Sequence, residues 1–442
     1  MKKNLFTAII ILIIVAIIGT GITTYVKLSG DTSTDTSQQG EMMPGGDSSS
    51  VEASGAKTVD GAEESLTDAY ASETADENAI LVENGGNATI TGATVTKTGD
   101  SSNTESGDFY GTNAAILVKE GSTATITGAT IITDGGGANA VFATGTDAKI
   151  YISDSTITTT GERSSRGLDA TYGGYIEADN VKITTQGGSC ATLATDRGEG
   201  TVKVKNSTLE TNGAGSPVIY STGDISIENT TGTANGAQMV VVEGKNTATV
   251  TNSTLSASGK GNRGENVDQC GIMIYQSMSG DAGEGTGTFT ATDSTLEIQS
   301  SSDCYKTAPL FFITNTDAVI NLKNTKLVYG SGTLISAKAT SEWGNSGSNG
   351  GNVTLNAESQ TLTGNIEVDS ISTAEINLTS STYEGTINGD NTAKEITLTL
   401  DKSSKIKLTG DSYVTTLNDA DTSYSNIAFN GYTLYVNGKA IN

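Results

Sequence analysis

The segment GERSSRGLDATYGG (161–174) sets Arg163, Arg166, Asp169 and Tyr172 close together, and ATLATDRGEG (191–200) adds Asp196 and Arg197. Guanidinium forks, carboxylates and a tyrosyl hydroxyl are groups that hold sugar hydroxyls or a uronate carboxylate. The same residues would equally serve as surface ion pairs between adjacent turns of the chain. Further on lie Arg263, Tyr275, Gln276, Asp281 and the single tryptophan, Trp343, in the loop SEWGNSGSNGGN (341–352). A tryptophan in such a loop either stacks on a sugar ring or anchors the loop against its own scaffold.

What these residues cannot do is also informative. The chain contains no histidine, so Ser-His-Asp and Cys-His mechanisms are excluded and a zinc site is disfavoured. A metal ligand set is not evident, although turn carboxylates leave Ca²⁺ possible. Two carboxylates alone hydrolyse glycosides, but no paired-aspartate motif stands out. Cys190, Cys270 and Cys304 form no C-x-x-C motif. Buried free thiols are expected, with a Cys270–Cys304 bridge as the alternative, because spacing fixes no geometry.

The formal charge of −25 excludes tracking of nucleic-acid phosphates, which demands a basic surface. It fits a soluble, exported surface. With 54 Gly, 3 Pro and 5% aromatic residues, the chain cannot fill a thick globular core. It can fill a thin repetitive one, since Thr, Val and Ile favour strands and Gly, Asn and Asp favour turns.

The elements that would position the candidate residues come from a repeat. An apolar strand, one turn residue, a small or Thr pair and another apolar residue recur as ATITGATV (88–95), ATITGATI (124–131), IYISDSTI (150–157), VKVKNSTL (202–209) and ATVTNSTL (248–255). The turn residues form a ladder of Gly92, Gly128, Asp154, Asn180, Asn206, Asn229, Asn252, Asp293 and Asn324, with basic steps of 26 and 23 residues. These residue types tolerate left-handed backbone, and stacked amides can hydrogen-bond along the column. A second strand series opens each coil, including AILVE (79–83), AILVK (115–119), ATLAT (191–195) and MVVVE (239–243).

This pattern resembles the right-handed parallel β-helix, or pectin-lyase-like, class, including bacterial adhesin-like surface proteins, over roughly residues 75–410. The expected fold is all-β, a solenoid of about ten or more coils rising one strand spacing per coil, with an N-terminal transmembrane helix. By analogy with enzymes of this class, a polysaccharide site would lie on one sheet face. A lyase route of that kind needs Ca²⁺ and an arginine base, for which Arg166 or Arg197 with Asp169 and Asp196 is the candidate set; the aspartate motif of those enzymes is not evident.

Several placements follow. Lys2 and Lys3 precede an apolar run, so residues 1–28 are expected to be a transmembrane anchor or a cleaved signal, putting the rest outside the cytoplasm. Residues 29–56 read as a flexible linker, 57–78 as an N-terminal cap with a short helix around Glu63–Ala71, 79–410 as the β-helix, and 411–442 as a C-terminal cap closing in a hairpin or edge cover. Insertions before and after the AILV-type strands are expected to wall its sheet face into a groove. Leu81, Leu117, Phe142, Leu193, Ile219, Val241, Met273 and Phe312 are expected to form an outward apolar stripe there, open to a partner or covered by the chain's own loops. The function expected is a non-enzymatic, adhesin-like cell-surface protein binding a polysaccharide or partner cell along that face. The alternative is a polysaccharide lyase or glycoside hydrolase.

Overall fold

The computed structural model describes residues 51–441. The repeats fold into parallel strands, each paired with its counterpart one coil before and after. Sheet 1 has 12 strands, from Ser54–Asp60 to Asn365–Val368; sheet 2 has 14, from Glu63–Leu66 to Thr416–Asp419; sheet 3 has 10, from Ala69–Ser72 to Lys326–Val328. Beyond sheet 3, a four-stranded sheet runs from Thr361–Thr363 to Ile427–Ala428. The described chain closes with the only antiparallel pair among the described strands, Leu434–Val436 with Lys439–Ala440.

Alternation along each strand builds the core. In sheet 1, Ile80, Ile116, Val141, Leu168, Leu193, Ile219, Val240 and Ile272 pair in register and point inward. Through most coils sheet 2 adds two inward residues, such as Ala124 and Ile126, and sheet 3 one, such as Ile131. One or two Ala, Val, Ile or Leu side chains per sheet fill most coils, so the scarcity of aromatic residues costs the fold little.

The corner between sheets 2 and 3 explains the repeated motif. All nine ladder residues have positive φ, between 45° and 66°. Asn180 Nδ2 donates to Asp154 Oδ1 at 2.6 Å, Asn229 to Asn206 Oδ1 at 3.4 Å and Asn324 to Asp293 Oδ1 at 2.6 Å, with Asn252 bonding Asn229 likewise. At one step the partner shifts: Asn206 Nδ2 donates to Asp179 at 2.7 Å instead of Asn180. In five of the nine motifs the next residue (Ser155, Ser207, Thr230, Ser253 or Ser294) is a buried hydroxyl that accepts a backbone N–H of the preceding coil. Val181 N–H donates to Ser207 Oγ at 3.0 Å, Ser207 N–H to Thr230 Oγ1 at 3.3 Å, and Thr230 N–H to Ser253 Oγ at 3.0 Å. Asn-Ser-Thr thus reads as an outer amide rung, an inner hydroxyl rung, and the start of the next strand.

Three expectations need correction. Glu63–Ala71 holds no helix: Glu63–Leu66 and Ala69–Ser72 are strands that pair with the following coil. Parallel pairing to Asn87–Thr91 overrides the helical preference of the two glutamates. The first strand begins at Ser54, inside the expected linker, so coiling starts earlier than the cap boundary at residue 57. Strand pairing also continues past residue 410, through Thr416–Asp419 and Ile427–Ala428. The expected N-terminal transmembrane segment lies outside the described residues; among the described residues no helix is long and apolar enough to cross a membrane.

Candidate functional site: a walled cavity on sheet 1

The outward column of sheet 1, read in register, is Leu81, Leu117, Phe142, Asp169, Ala194, Tyr220, Val241, Met273, Phe312. It is apolar at both ends and polar or small in the middle. The expected stripe is therefore corrected in its membership, and of its two readings the covered one holds. Leu193 and Ile219 belong to the inner core, because a one-residue shift in alignment exchanges the two faces of a strand. The remaining members are buried, so no open apolar stripe exists.

Different insertions cover the two apolar ends. Over Leu117 and Phe142 lies helix α1, Thr104–Tyr110. Asn103 caps it by accepting from Ser106 N–H at 3.1 Å. Gly111 ends it at φ 67°, where a β-carbon would meet the Phe142 ring at 2.6 Å, so only glycine permits this contact. Asn139 Nδ2 donates to Gly107 O, and Thr171 Oγ1 donates to Phe109 O at 2.8 Å. At the other end, Val241, Met273 and Phe312 pack with Cys270, Tyr275 and Trp343. Trp343 meets Tyr275 edge-on, with centroids 5.2 Å apart, and is 6% exposed. It anchors its loop while also lining the cavity.

Between these covers lies a cavity of about 250 Å³, lined among others by Arg163, Arg166, Asp196, Tyr220, Arg263, Asp281 and Trp343. The chain has only four arginines. Three line this cavity, and the fourth, Arg197, bonds its wall residue Asp281.

The four behave in two ways. Arg166 is buried and receives three carboxylates: Asp196 at 3.0 Å, Asp169 at 3.2 Å and Asp108 of α1 at 3.6 Å. Burial alone would depress its pKa, but those carboxylates outweigh burial and raise it above the ordinary value, so it stays protonated. Burial pushes Asp196 up to about 8; Arg166 opposes this, while Asp169 and Asp281 add to it. Asp169 is raised to about 6, again by burial first, with Arg166 opposing; its Oδ1 has no hydrogen-bond partner. Arg197 donates to Asp281 at 2.8 Å and Glu105 at 3.1 Å and lies over the Phe109 ring at 3.8 Å. Arg163 and Arg263, by contrast, are exposed and have no ion pair among the described residues.

The structure thus brings Arg163, Arg166, Asp169, Asp196, Arg197, Tyr275 and Trp343 to one region. Two other sequence candidates do not line the cavity. Tyr172 stacks on Tyr110 at 5.2 Å and pins α1; Gln276 is buried, donating to Ala282 O at 3.2 Å. Residues the sequence reading missed are Asp108 and Phe109, from the non-repeating SGDFYG stretch, and Tyr220 with Glu243. Glu243 Oε2 accepts from Tyr220 at 2.6 Å and Tyr275 at 2.8 Å, fixing both rings. The aromatic pair in SGDFYG, conspicuous in so aromatic-poor a chain, was the available signal.

Among the described residues no group of three or more Cys, Asp or Glu is arranged to hold a metal ion. The carboxylates nearest to that role converge on Arg166, whose guanidinium takes the place a cation would. Cys190, Cys270 and Cys304 are buried free thiols.

Stacked parallel coils with continuous inward apolar columns from each sheet define the protein as a parallel β-helix. Residues 78–255 match the family model described as the right handed beta helix region, and this stretch is a right-handed parallel β-helix. No curated protein and no solved structure matches the chain.

Proposed function

We propose that this is a non-enzymatic, adhesin-like surface β-helix that binds a saccharide of a polymer or partner cell in the sheet 1 cavity. One observation carries the reading: all four arginines and the only tryptophan of a 442-residue chain gather at one cavity. Aromatic and aliphatic floor atoms (Tyr220, Val241, Met273) beside charged and amide walls suit the mixed faces of a sugar. The N-terminal apolar run would tether the protein with its coils outside the cytoplasm. Screening the full chain against a glycan array tests the reading. Binding to a defined glycan class, weakened about tenfold or more by Tyr220→Ala, is expected; silence across the array counts decisively against it.

A second reading, glycoside hydrolysis, is favoured by one feature. Asp196 lines the cavity with its pKa lifted to about 8, so it holds a proton at neutral pH, as a general acid must. Asp281 lines the same cavity and would be the second carboxylate. A lyase route is less supported, because Arg166 and Arg197 both have raised pKa values from their carboxylate partners and cannot act as bases. Release of reducing ends from a bound glycan, abolished in Asp196→Asn, would replace the binding reading with this one.

A further inference from the structure

The walls of the cavity say more about the ligand than its contents do. Along the solenoid axis it is blocked at both ends: Asp108 and Phe109 of α1 stand at one, Trp343 and Tyr275 at the other. Neither cover is loose. Asp108 contacts Arg166, Arg197 grips Glu105 and lies over Phe109, and Trp343 is packed on Tyr275. Between them the sheet 1 floor of the cavity is three strands, Ile219–Ser221, Val240–Glu243 and Ile272–Tyr275, through Tyr220, Val241 and Met273. At one strand spacing each, they leave about 14 Å of axis, the length of a sugar or a disaccharide. A polymer lying along the axis would have to pass through α1 or the Trp343 loop.

The two side walls differ in charge. Arg163 and Arg263 lie in segments that precede sheet 1 strands, so they share one wall; Asp196, Asp281 and Trp343 lie in segments that follow such strands and form the other. The first wall offers two guanidinium groups without ion pairs; the second offers carboxyl groups able to accept or share sugar hydroxyl hydrogens. An unpaired guanidinium at the edge of such a cavity is matched by a planar anion.

Resting on the saccharide-binding reading, we infer that the cavity takes the terminal one or two units of an acidic glycan end-on. The anionic group lies toward Arg163 and Arg263, and the hydroxyls lie toward Asp196 and Asp281.

Trp343 is the only tryptophan, so its fluorescence reports occupancy directly. The full chain is titrated with methyl glucuronide, methyl N-acetylneuraminide and methyl glucoside, then with a glucuronate-containing disaccharide, hexasaccharide and parent polymer. Expected are preference for an acidic glycoside over the neutral one by about tenfold or more and, per chain end, affinity nearly constant from disaccharide to polymer. Arg163→Gln and Arg263→Gln should each erase most of the acidic preference while leaving the melting temperature unchanged, since neither side chain is paired. Affinity that climbs more than about tenfold per end with chain length would overturn end-on binding, and equal binding of the neutral glycoside would overturn the anionic contact. Binding confined to neutral or long glycans removes this inference alone; silence with every saccharide, here and on the array, removes the binding reading as well.

Discussion

The two kinds of corner in this solenoid are built on opposite rules. Between sheets 2 and 3 the chain turns through a left-handed residue coil after coil, most often followed by a buried hydroxyl, with Asn and Asp side chains bonded along the axis. On either side of sheet 1 the connections vary in length and composition and supply α1, the arginines and the tryptophan loop. The uniform corner holds register; the variable ones hold chemistry. Their difference shows that departures from the repeat, rather than the repeat, mark where the molecule meets something else.

The comparison can be broken most forcefully at Arg166. Arg166→Met leaves buried carboxylates uncompensated and is expected to destabilise by about 3–5 kcal/mol in denaturant unfolding; a loss below about 1 kcal/mol would mean the cluster is solvated. Phe142→Ala removes the ring beneath α1 and should cost about 3–5 kcal/mol, as for a core residue, whereas an open stripe would lose almost nothing. At the uniform corner, Asn229→Ala puts an ordinary residue at φ 49° and removes an amide rung. A loss of about 1–3 kcal/mol is expected, with Asn229→Gly losing only the rung, about 1 kcal/mol or less; equal losses would show that backbone conformation is irrelevant there.

The last effect depends on pH. Asp196 has a folded pKa near 8, above its ordinary value of 3.8, so the folded state holds this proton more tightly than the unfolded state. Its contribution to stability is greatest at acid pH and falls as pH rises from about 4 to about 8. Asp169, raised to about 6, acts in the same direction over the lower part of that range. Asp196→Asn should therefore match the parent only below about pH 4 and melt progressively higher as pH rises to about 8. Parallel curves across the whole range would show that Asp196 ionises normally.

Much of this architecture was legible in the residues. Gly92 through Asn324 announced the ladder because only a few residue types accept its backbone. Sheet 1 was harder. ATLAT looks like AILVE, yet Leu193 aligns with Leu168 inside, while Asp169 and Ala194 replace the outward apolar residues. Short apolar runs carry too little contrast to fix their own register. Within the site, Arg166, Asp169 and Asp196 were close in sequence and on adjacent coils, so their meeting could be anticipated. Asp108 and Asp281 reach the same cluster through insertions whose paths no periodicity encodes. Similarly, Glu63 and Glu64 suggested a helix because pairing with the next coil is invisible locally.

The left-handed corner has a practical consequence for the rest of the molecule. Because this corner keeps the same left-handed turn from Gly92 to Asn324, the segments around sheet 1 behave as exchangeable cassettes on a fixed spindle. Replacing the stretch that carries Arg263, or moving α1 to another winding, would re-shape the receptacle without disturbing the layers above and below. Variation in such a lineage should then accumulate as swapped cassettes beside an unchanging Asn and Asp spine.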